Sequence, residues 1–406
     1  MKEEFELKKD RYLSRFINFY IMFIPIYYIL NLILGTKSHY IFAIIIAVFF
    51  LVGVKYFNKF KKKAIWTIIL FFGVFLVYSF LGYIDYIYNW SGMVFMLLCC
   101  AFPWFIVGIY VNDFNIILQG FKKIFVLSWF SNILLIVYCY STGRTMSGNM
   151  EISYSILPIT IISIYFFLKE KSIKYLLSAI ISVFIILGIG SRGPLLCIAS
   201  YIILYLMSNF KKNKLIIIIL ILATFLVFYN YNSILTSLIQ ICHHYDINSR
   251  TLYKIRDGSI VDDTGRGKIQ DVAIEQLKEQ PLIGTGIGVE RIKINELVMQ
   301  KDMGSAYPHN FIIEIMVQYG YVIGSIILFY LLYLLIKSLI KSNTIERELL
   351  IIIFSTEIIR LMVSSSYLRS SLFFLWLGLS INIVYRRKKN EKASNNITNK
   401  FTDSSN

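Results

Sequence analysis

Three basic side chains stand where chemistry on an anionic molecule can be expected. His309 opens a hydrophobic run, Arg266 lies in the polar segment before that run, and Arg192 lies in a short turn between two other runs. An imidazole can accept a proton from a hydroxyl group, and a guanidinium can bind phosphate or pyrophosphate through two parallel hydrogen bonds. We therefore predict a catalytic site in which Arg266 and Arg192 hold an anionic head group and His309 accepts a proton from a hydroxyl nucleophile.

Both arginines also have simpler structural interpretations. Arg266 can pair with Asp262 or Asp263 in the first turn of a helix, and Arg192 can bind a lipid phosphate at the membrane surface. The residue types alone leave these alternatives open.

Further polar side chains surround the three basic ones. Asn310, Glu314 and Gln318 recur every four residues and so lie on one helical face, which must meet other helices or a water-filled cavity. Gln318 can equally belong to a hydrogen-bonded seam between helices, and Arg360 can simply be neutralised by Glu357. The predicted substrate-binding side chains are Arg144, Asn310, Glu314, Tyr307, Arg360 and Arg369. Metal-ligand spacing is absent from the sequence, so we expect neither a metal nor a cofactor.

The composition is that of a polytopic membrane protein. Hydrophobic residues make up 57% of the 406 residues, and the mean hydropathy is +0.65. The apolar runs recur at about 20 residues, the length that a helix needs to cross the hydrocarbon layer, and they lack the alternation of a β-barrel. We predict an all-α fold of about twelve transmembrane helices, at 16–34, 39–54, 64–82, 92–111, 123–140, 153–168, 174–190, 194–208, 215–232, 309–336, 348–366 and 370–385.

The formal net charge of +17 is a topology signal, and we expect no nucleic-acid partner. Both termini and alternate loops carry 27 Lys and Arg residues, whereas the short loops of the opposite side carry 4. Short loops rich in Lys and Arg stay in the cytoplasm. Both termini are therefore predicted to be cytoplasmic, in a multi-pass protein whose 233–308 segment lies outside the membrane.

The predicted domain organisation has four parts. Residues 1–232 form helices 1–9 of the bundle, 233–308 an extracytoplasmic loop, 309–387 helices 10–12, and 388–406 a disordered cytoplasmic tail. The loop contains an amphipathic helix that either lies on the membrane or caps the bundle, with Ile269, Val272, Ala273, Gln276 and Leu277 at helical spacing.

Two glycine patterns remain. Gly284-Thr285-Gly286-Ile287-Gly288 can cradle a phosphate, but it lacks the Lys-Ser/Thr of a P-loop, so a turn that approaches a neighbouring helix is favoured. Gly320 and Gly324 have the four-residue spacing that permits close contact between helices.

The order of these motifs resembles the O-antigen ligase and Wzy-type polymerase superfamily. The resemblance rests on the large loop between the ninth and tenth of twelve spans and on the motifs Gly190-Ser191-Arg192-Gly193, Thr264-Gly265-Arg266, Gln280-Pro281-Leu282-Ile283-Gly284-Thr285-Gly286 and Pro308-His309-Asn310, followed by Glu314, Tyr319-Gly320 and Gly324. The stretch after Arg144 departs from the family pattern, since Ser147-Gly148-Asn149 continues into Met150-Glu151-Ile152.

The resemblance implies metal-independent, inverting glycosyl transfer at the outer face of a bacterial cytoplasmic (inner) membrane. The donor would be an oligosaccharide on undecaprenyl pyrophosphate, and Arg192 and Arg266 would bind the pyrophosphate while His309 orients or deprotonates the acceptor hydroxyl. The expected partners are this lipid-linked oligosaccharide, membrane lipids, a chain-length regulator and a flippase.

We predict a polymerase of surface polysaccharide (capsule, O-antigen or exopolysaccharide), because repeat-unit polymerases occur in many bacteria. The alternatives are an O-antigen ligase acting on lipid A core, a transporter or flippase of lipid-linked sugars or small anions, and a non-catalytic assembly partner.

Overall fold

The described part of the chain consists of helices and the turns between them, without a strand. A computed structural model describes residues 2–34, 37–56, 96–142, 150–209, 230–244, 266–299 and 307–385, with single positions between 69 and 80 and at 253 and 256. The helices are α1 (Lys2–Leu34), α2 (Lys37–Gly53), α3 (Phe102–Tyr110), α4 (Phe114–Ser141), α5 (Met150–Glu170), α6 (Ile173–Ile189), α7 (Arg192–Ser208), α8 (Tyr231–His244), α9 (Arg266–Glu279), α10 (Val289–Ile294), α11 (Phe311–Lys341), α12 (Thr344–Ile353), α13 (Ile359–Val363) and α14 (Ser371–Tyr385). A π-helical segment, Phe354–Ile358, joins α12 to α13.

Four of the described helices are long and apolar enough to cross a membrane. They are Glu4–Leu34 within α1, then α4, α5 and α11. Such helices identify an integral membrane protein, because a helix satisfies its own backbone hydrogen bonds in lipid. The twelve spans and the four-part domain organisation stay predictions, and the spans 64–82 and 215–232 fall mostly outside the described residues.

The core of the bundle is built around α5. This helix is buried along most of its length and packs against α6 and α7, while α1 packs against α4. Nearly every residue of α14 is buried as well. The bundle therefore holds the ends of α5, α7 and α13 in fixed relative positions.

The first helix begins well before the predicted residue 16. Its polar extension from Lys2 is stabilised by an ion pair between Lys8 and Glu4, one turn apart. Asp10 also accepts hydrogen bonds from the backbone N–H groups of Asn112 (3.0 Å) and Asp113 (3.2 Å). A search for apolar runs misses such a helix start because these residues are charged.

The tenth predicted span, 309–336, is not one continuous helix. α11 begins at Phe311 and is broken at Gly320, whose φ of 72° and ψ of 176° are not helical. Gly320 does permit a close approach, but to a loop, because a Cβ atom at this position would lie 2.4 Å from the carbonyl oxygen of Leu282. We call residues 281–288, which include the glycine pattern, the glycine-rich loop. We call residues 311–319 the outer half of α11.

The glycine-rich loop replaces the hydrogen bonds that the break removes. The N–H groups of Thr285 and Gly286 donate to the carbonyl oxygens of Val317 (2.9 Å) and Gln318 (3.0 Å). The N–H group of Tyr321 donates to Pro281 O at 2.7 Å. The loop therefore approaches a neighbouring helix, as the sequence favoured, and completes that helix. Non-helical backbone at membrane depth is tolerated where protein buries it in this way.

The predicted amphipathic helix is present as α9. Ile269, Ala273 and Leu277 face Val317 of α11, and together with Ile294 of α10 they form a small separate core. In the described residues α9 thus packs on the outer half of α11, which corresponds to capping the bundle.

Two ends of the bundle can be distinguished. Met150 begins α5 and Val363 ends α13, and both contact Arg266, so these residues mark what we call the site end. Lys169 near the other end of α5 binds Glu348 of α12 at 2.9 Å, which marks what we call the basic end.

Candidate functional site

The turn that follows α13 is the centre of the site end. Arg266, the first residue of α9, donates from Nη1 to the carbonyl oxygen of Val363 at 2.7 Å. The hydroxyl group of Tyr307 donates to the carbonyl oxygen of Ser364 at 3.1 Å. Met150 accepts a hydrogen bond from Arg266 Nη2 at 3.0 Å. One turn therefore fixes two of the predicted site residues.

His309 lies beside the same turn in an unusual backbone conformation. Its φ of 55° is in the left-handed region, which is uncommon for a residue other than glycine and tends to occur at functional sites. Its ring lies against the ring of Tyr307, with 4.2 Å between the centroids. Its Nδ1 atom is buried and has no hydrogen-bond partner among the described residues. The lone pair of this nitrogen is therefore not used by any described residue.

The electrostatic surroundings keep His309 neutral. Burial first, and then the positive charge of Arg266, lower the pKa of its imidazole to about 4, against the opposing effect of a hydrogen bond with the backbone of Ser364. Tyr307 keeps its proton, because burial raises the pKa of the phenol. At neutral pH His309 is thus an unprotonated imidazole beside a cationic arginine.

Arg192 is placed at the same end by the glycine that follows it. A Cβ atom on Gly193 would lie 1.9 Å from the Tyr154 hydroxyl group and 3.6 Å from Val363 Cγ2, so only glycine fits here. Arg192 begins α7 and is partly exposed. The backbone of Arg192 is therefore close to the residue that accepts the hydrogen bond from Arg266.

Arg360 and Arg369, which were predicted to bind substrate, differ from each other. Arg360 lies over the ring of Tyr154, 4.5 Å from its centroid, and its Nη1 is 3.7 Å from Glu357 Oε2. The ion pair that the sequence allowed is therefore present. Arg369 has an exposed side chain, and its N–H group donates to Ser366 O at 3.2 Å.

Asn310 and Glu314 take part in holding the structure. Asn310 Oδ1 accepts hydrogen bonds from the N–H groups of Ile312 (3.0 Å) and Ile313 (3.3 Å), which makes it the N-cap of α11. Glu314 is 1% exposed, and both of its carboxylate oxygens accept hydrogen bonds from protein donors. The predicted stripe of polar residues thus faces the protein interior.

A buried cluster lies below the site, and four of its six members, all except Glu314 and Gln318, were missed from the sequence. It comprises Glu290, Arg291, Glu314, Gln318, Ser366 and Tyr367. In the sequence, Glu290 and Arg291 are adjacent opposite charges in a polar segment, which normally indicates a solvated surface. The sequence signal that could have indicated this helix is Gly288, directly before it. In the structure Gly288 has a left-handed backbone and α10 begins at the next residue.

Two other sequence interpretations depend on residues outside the described ranges. Arg144, Asp262 and Asp263 belong to segments that the structure leaves undescribed, so the alternative pairing of Arg266 is untested. Within the described ranges, His, Cys, Asp and Glu side chains form no group of three or more that could hold a metal ion.

Comparison with known proteins supports the resemblance found in the motifs. Residues 177–329 match the family model described as O-Antigen ligase. The matched region contains Arg192, Arg266, His309 and Glu314, and the match supports a role in polysaccharide assembly. Members of that family are membrane enzymes similar to glycosyltransferases. A search of curated proteins found no match.

Proposed function

We propose that this protein polymerises oligosaccharide repeat units carried on undecaprenyl pyrophosphate, at the outer face of the cytoplasmic membrane of a bacterium. The observation that carries the proposal is the neutral His309, with an unpartnered Nδ1, beside Arg266 at the Val363–Ser364 turn. The matched family supports an enzyme of polysaccharide assembly.

The reaction transfers a glycan from the donor lipid to an acceptor hydroxyl. The acceptor oxygen attacks the anomeric carbon of the donor sugar, its proton passes to His309 Nδ1, and the bond to the lipid pyrophosphate breaks. The bonding electrons leave with the pyrophosphate, whose growing negative charge is stabilised by Arg266 and Arg192. In this scheme Tyr307, Arg360, Arg369 and Arg144 contact the sugars or phosphates, and neither a metal nor a cofactor takes part.

Donor binding would also prepare His309 for catalysis. A pKa of about 4 makes the free imidazole a weak base near pH 7. Because the charge of Arg266 is one cause of this low pKa, a bound pyrophosphate that neutralises Arg266 raises the pKa. The donor would thus increase the basicity of the group that it needs.

A ligase is the second candidate, because the matched family model carries that description. The two enzymes share the donor and differ in the acceptor, which is a second lipid-linked repeat unit for a polymerase and lipid A core for a ligase. Transport is less favoured, because the predicted site arginines Arg192, Arg266 and Arg360 lie at the site end of the bundle. A transport cavity would need charge at mid-depth along several helices.

The test uses the purified full-length protein in lipid nanodiscs with a lipid-linked repeat unit. A polymerase elongates this substrate alone, a ligase forms product only when lipid A core is added, and a transporter in liposomes moves the substrate between leaflets without elongating it. Product length is read by gel electrophoresis and mass spectrometry.

The matched variants are Arg266→Ala and Lys122→Ala. We expect Arg266→Ala to abolish elongation while the protein stays in the membrane, and single repeat units to accumulate on lipid in cells. Lys122→Ala removes an exposed cation at the basic end and should leave chain length unchanged. Long chains in the Arg266→Ala variant would refute the assigned site.

A further inference from the structure

Arg291 is the centre of the buried cluster below the site. The residue is 8% exposed, and its Nη2 donates to Ser366 Oγ at 2.7 Å and to Glu314 Oε1 at 3.3 Å. Its Nε lies 3.5 Å from Oε1 of Glu290, which is fully buried. One cation thus lies between two buried carboxylates.

The cluster joins three separate segments of the chain. Glu290 and Arg291 belong to α10, Glu314 to the outer half of α11, and Ser366 to the turn after α13. Glu290 also accepts from Gln318 Nε2 at 2.6 Å and from the N–H group of Gly288 at 2.9 Å. Buried charges are costly to leave unpaired, so these segments are held in one arrangement.

Two sets of contacts connect the cluster with His309. The guanidinium carbon of Arg291 lies 5.8 Å from the centroid of the Tyr307 ring, which itself lies 4.2 Å from the His309 ring. Ser366, which Arg291 holds, is two residues from Ser364, whose carbonyl oxygen accepts from the Tyr307 hydroxyl group. Arg291 therefore supports both the ring against which His309 packs and the turn that anchors this ring.

We propose that Arg291 is a positioning residue, which sets the orientation of His309 through Tyr307 and the Ser364–Ser366 turn. The catalytic consequence rests on the proposed function, in which His309 accepts a proton. The alternative is a purely structural role, in which Arg291 neutralises Glu314 and Glu290 and has no effect on His309.

A pair of variants separates positioning from neutralisation. Arg291→Met alone leaves Glu314 buried without its cation and is expected to destabilise the fold. Arg291→Met combined with Glu314→Gln removes one charge of each sign, so Glu290 is then the remaining buried carboxylate, with hydrogen bonds from Gln318 and Gly288. The double variant is expected to fold, with a thermal midpoint between those of Arg291→Met and the wild type. If Arg291 positions His309, the double variant has a kcat lower by on the order of tenfold or more, with KM little changed, because misplacement by about 1 Å can be that costly.

A second measurement does not depend on glycosyl transfer. Diethyl pyrocarbonate modifies neutral imidazoles, and mass spectrometry resolves the His309 peptide from those of the other three histidines. In the wild type we expect slow modification of His309 whose rate is flat between pH 5 and 8, since its pKa is about 4. In the double variant the ring is released, so modification becomes faster and its midpoint moves toward pH 6.5.

The outcomes are distinguishable. If the wild type transfers no sugar, the proposed function fails, and the modification rates still decide whether Arg291 orients His309. A double variant with wild-type kcat and wild-type His309 reactivity overturns the proposal. If the double variant does not fold, Arg291→Lys decides. This variant keeps the charge but loses the planar fork, so unchanged kcat and His309 reactivity would overturn the proposal equally.

Discussion

The two ends of the bundle satisfy their polar groups in different ways. At the basic end Lys169 and Tyr165 both donate to Glu348 at 2.9 Å, and Lys122 pairs with Glu170 at 2.8 Å. At the site end Arg266 donates to a carbonyl oxygen and to a sulfur atom, and His309 Nδ1 is buried without a partner in the described chain. Charged groups that form ion pairs within the protein stabilise its fold. A cation or a nitrogen without a charged partner in the protein is the kind of group that can bind an anionic ligand or accept a proton.

The starts of α12 and α11 show the same difference. α12 begins with a capping box, in which Asn343 and Glu346 bind each other's backbone N–H groups. α11 also begins with a cap, Asn310, but it follows the strained His309 and breaks at Gly320. The helix start at the basic end is thus closed by its own side chains, whereas the helix at the site end is interrupted and completed by the glycine-rich loop.

The largest expected difference between the ends is catalytic. His309→Ala should lower kcat by about 10²- to 10⁴-fold, the usual contribution of a positioned proton acceptor. Sugar transfer in nanodiscs measures it, with the protein amount checked by its elution from a sizing column. His309→Ala with near-normal kcat would show that the site end does not carry the chemistry.

The helix break should matter next most. Gly320→Ala forces a side chain into a φ of 72° and against backbone atoms of the loop, so we expect destabilisation by at least about 3 kcal/mol. Thermal unfolding in detergent measures this effect. Gly324→Ala is the matched control, because its Cβ meets its nearest neighbours only at 3.1 Å or more. Equal midpoints for the two variants would contradict the described break.

Acid should destabilise the site end through His309. Its folded pKa of about 4 lies below its unfolded value near 6.5, so the unfolded state binds the proton more readily between these values. Stability therefore falls as the pH drops from 6.5 to 4, by up to about 3 kcal/mol from this group.

Comparison with His309→Gln isolates that contribution from the carboxylates. The wild type should lose more stability than the variant between pH 6.5 and 4, and the two curves should run parallel above pH 7. Parallel curves over the whole range would mean that the imidazole is not held neutral.

The smallest effect is expected at the basic end. Asn343→Ala removes the capping box and should cost about 1 kcal/mol of stability without changing kcat. Thermal unfolding and the transfer assay together measure both quantities. A large fall in kcat would mean that the two ends are coupled more closely than their contacts indicate.

The ends of two described helices were predictable because their apolar runs stop at a polar residue, a charge or a glycine. The spans 174–190 and 370–385 differ by one residue from α6 and α14, because Ser172, Gly190 and Arg386 mark the changes. The start of α1 was not predictable from hydropathy, since charged residues there are stabilised by pairs on the helix surface.

The main residues of the candidate site were predictable from the sequence, but the buried contacts that hold them in place were not. Charge patterning placed Arg266 and His309 at the same end, and the structure brings both to the Val363–Ser364 turn. The role of Arg291 could not be read locally, because its burial depends on Glu314 and Ser366, which lie 23 and 75 residues further along the chain. The break at Gly320 likewise depends on amides of a distant loop.

The loop that completes α11 also has a consequence for biosynthesis. The amides of Thr285 and Gly286 leave the ribosome before Val317 and Gln318, the residues whose carbonyl oxygens they bind. Bare carbonyl groups are costly in lipid, so the outer half of α11 reaches its final state only once the loop is in place beside it. The maturation of this helix in the membrane is therefore tied to delivery of the segment translated just before it.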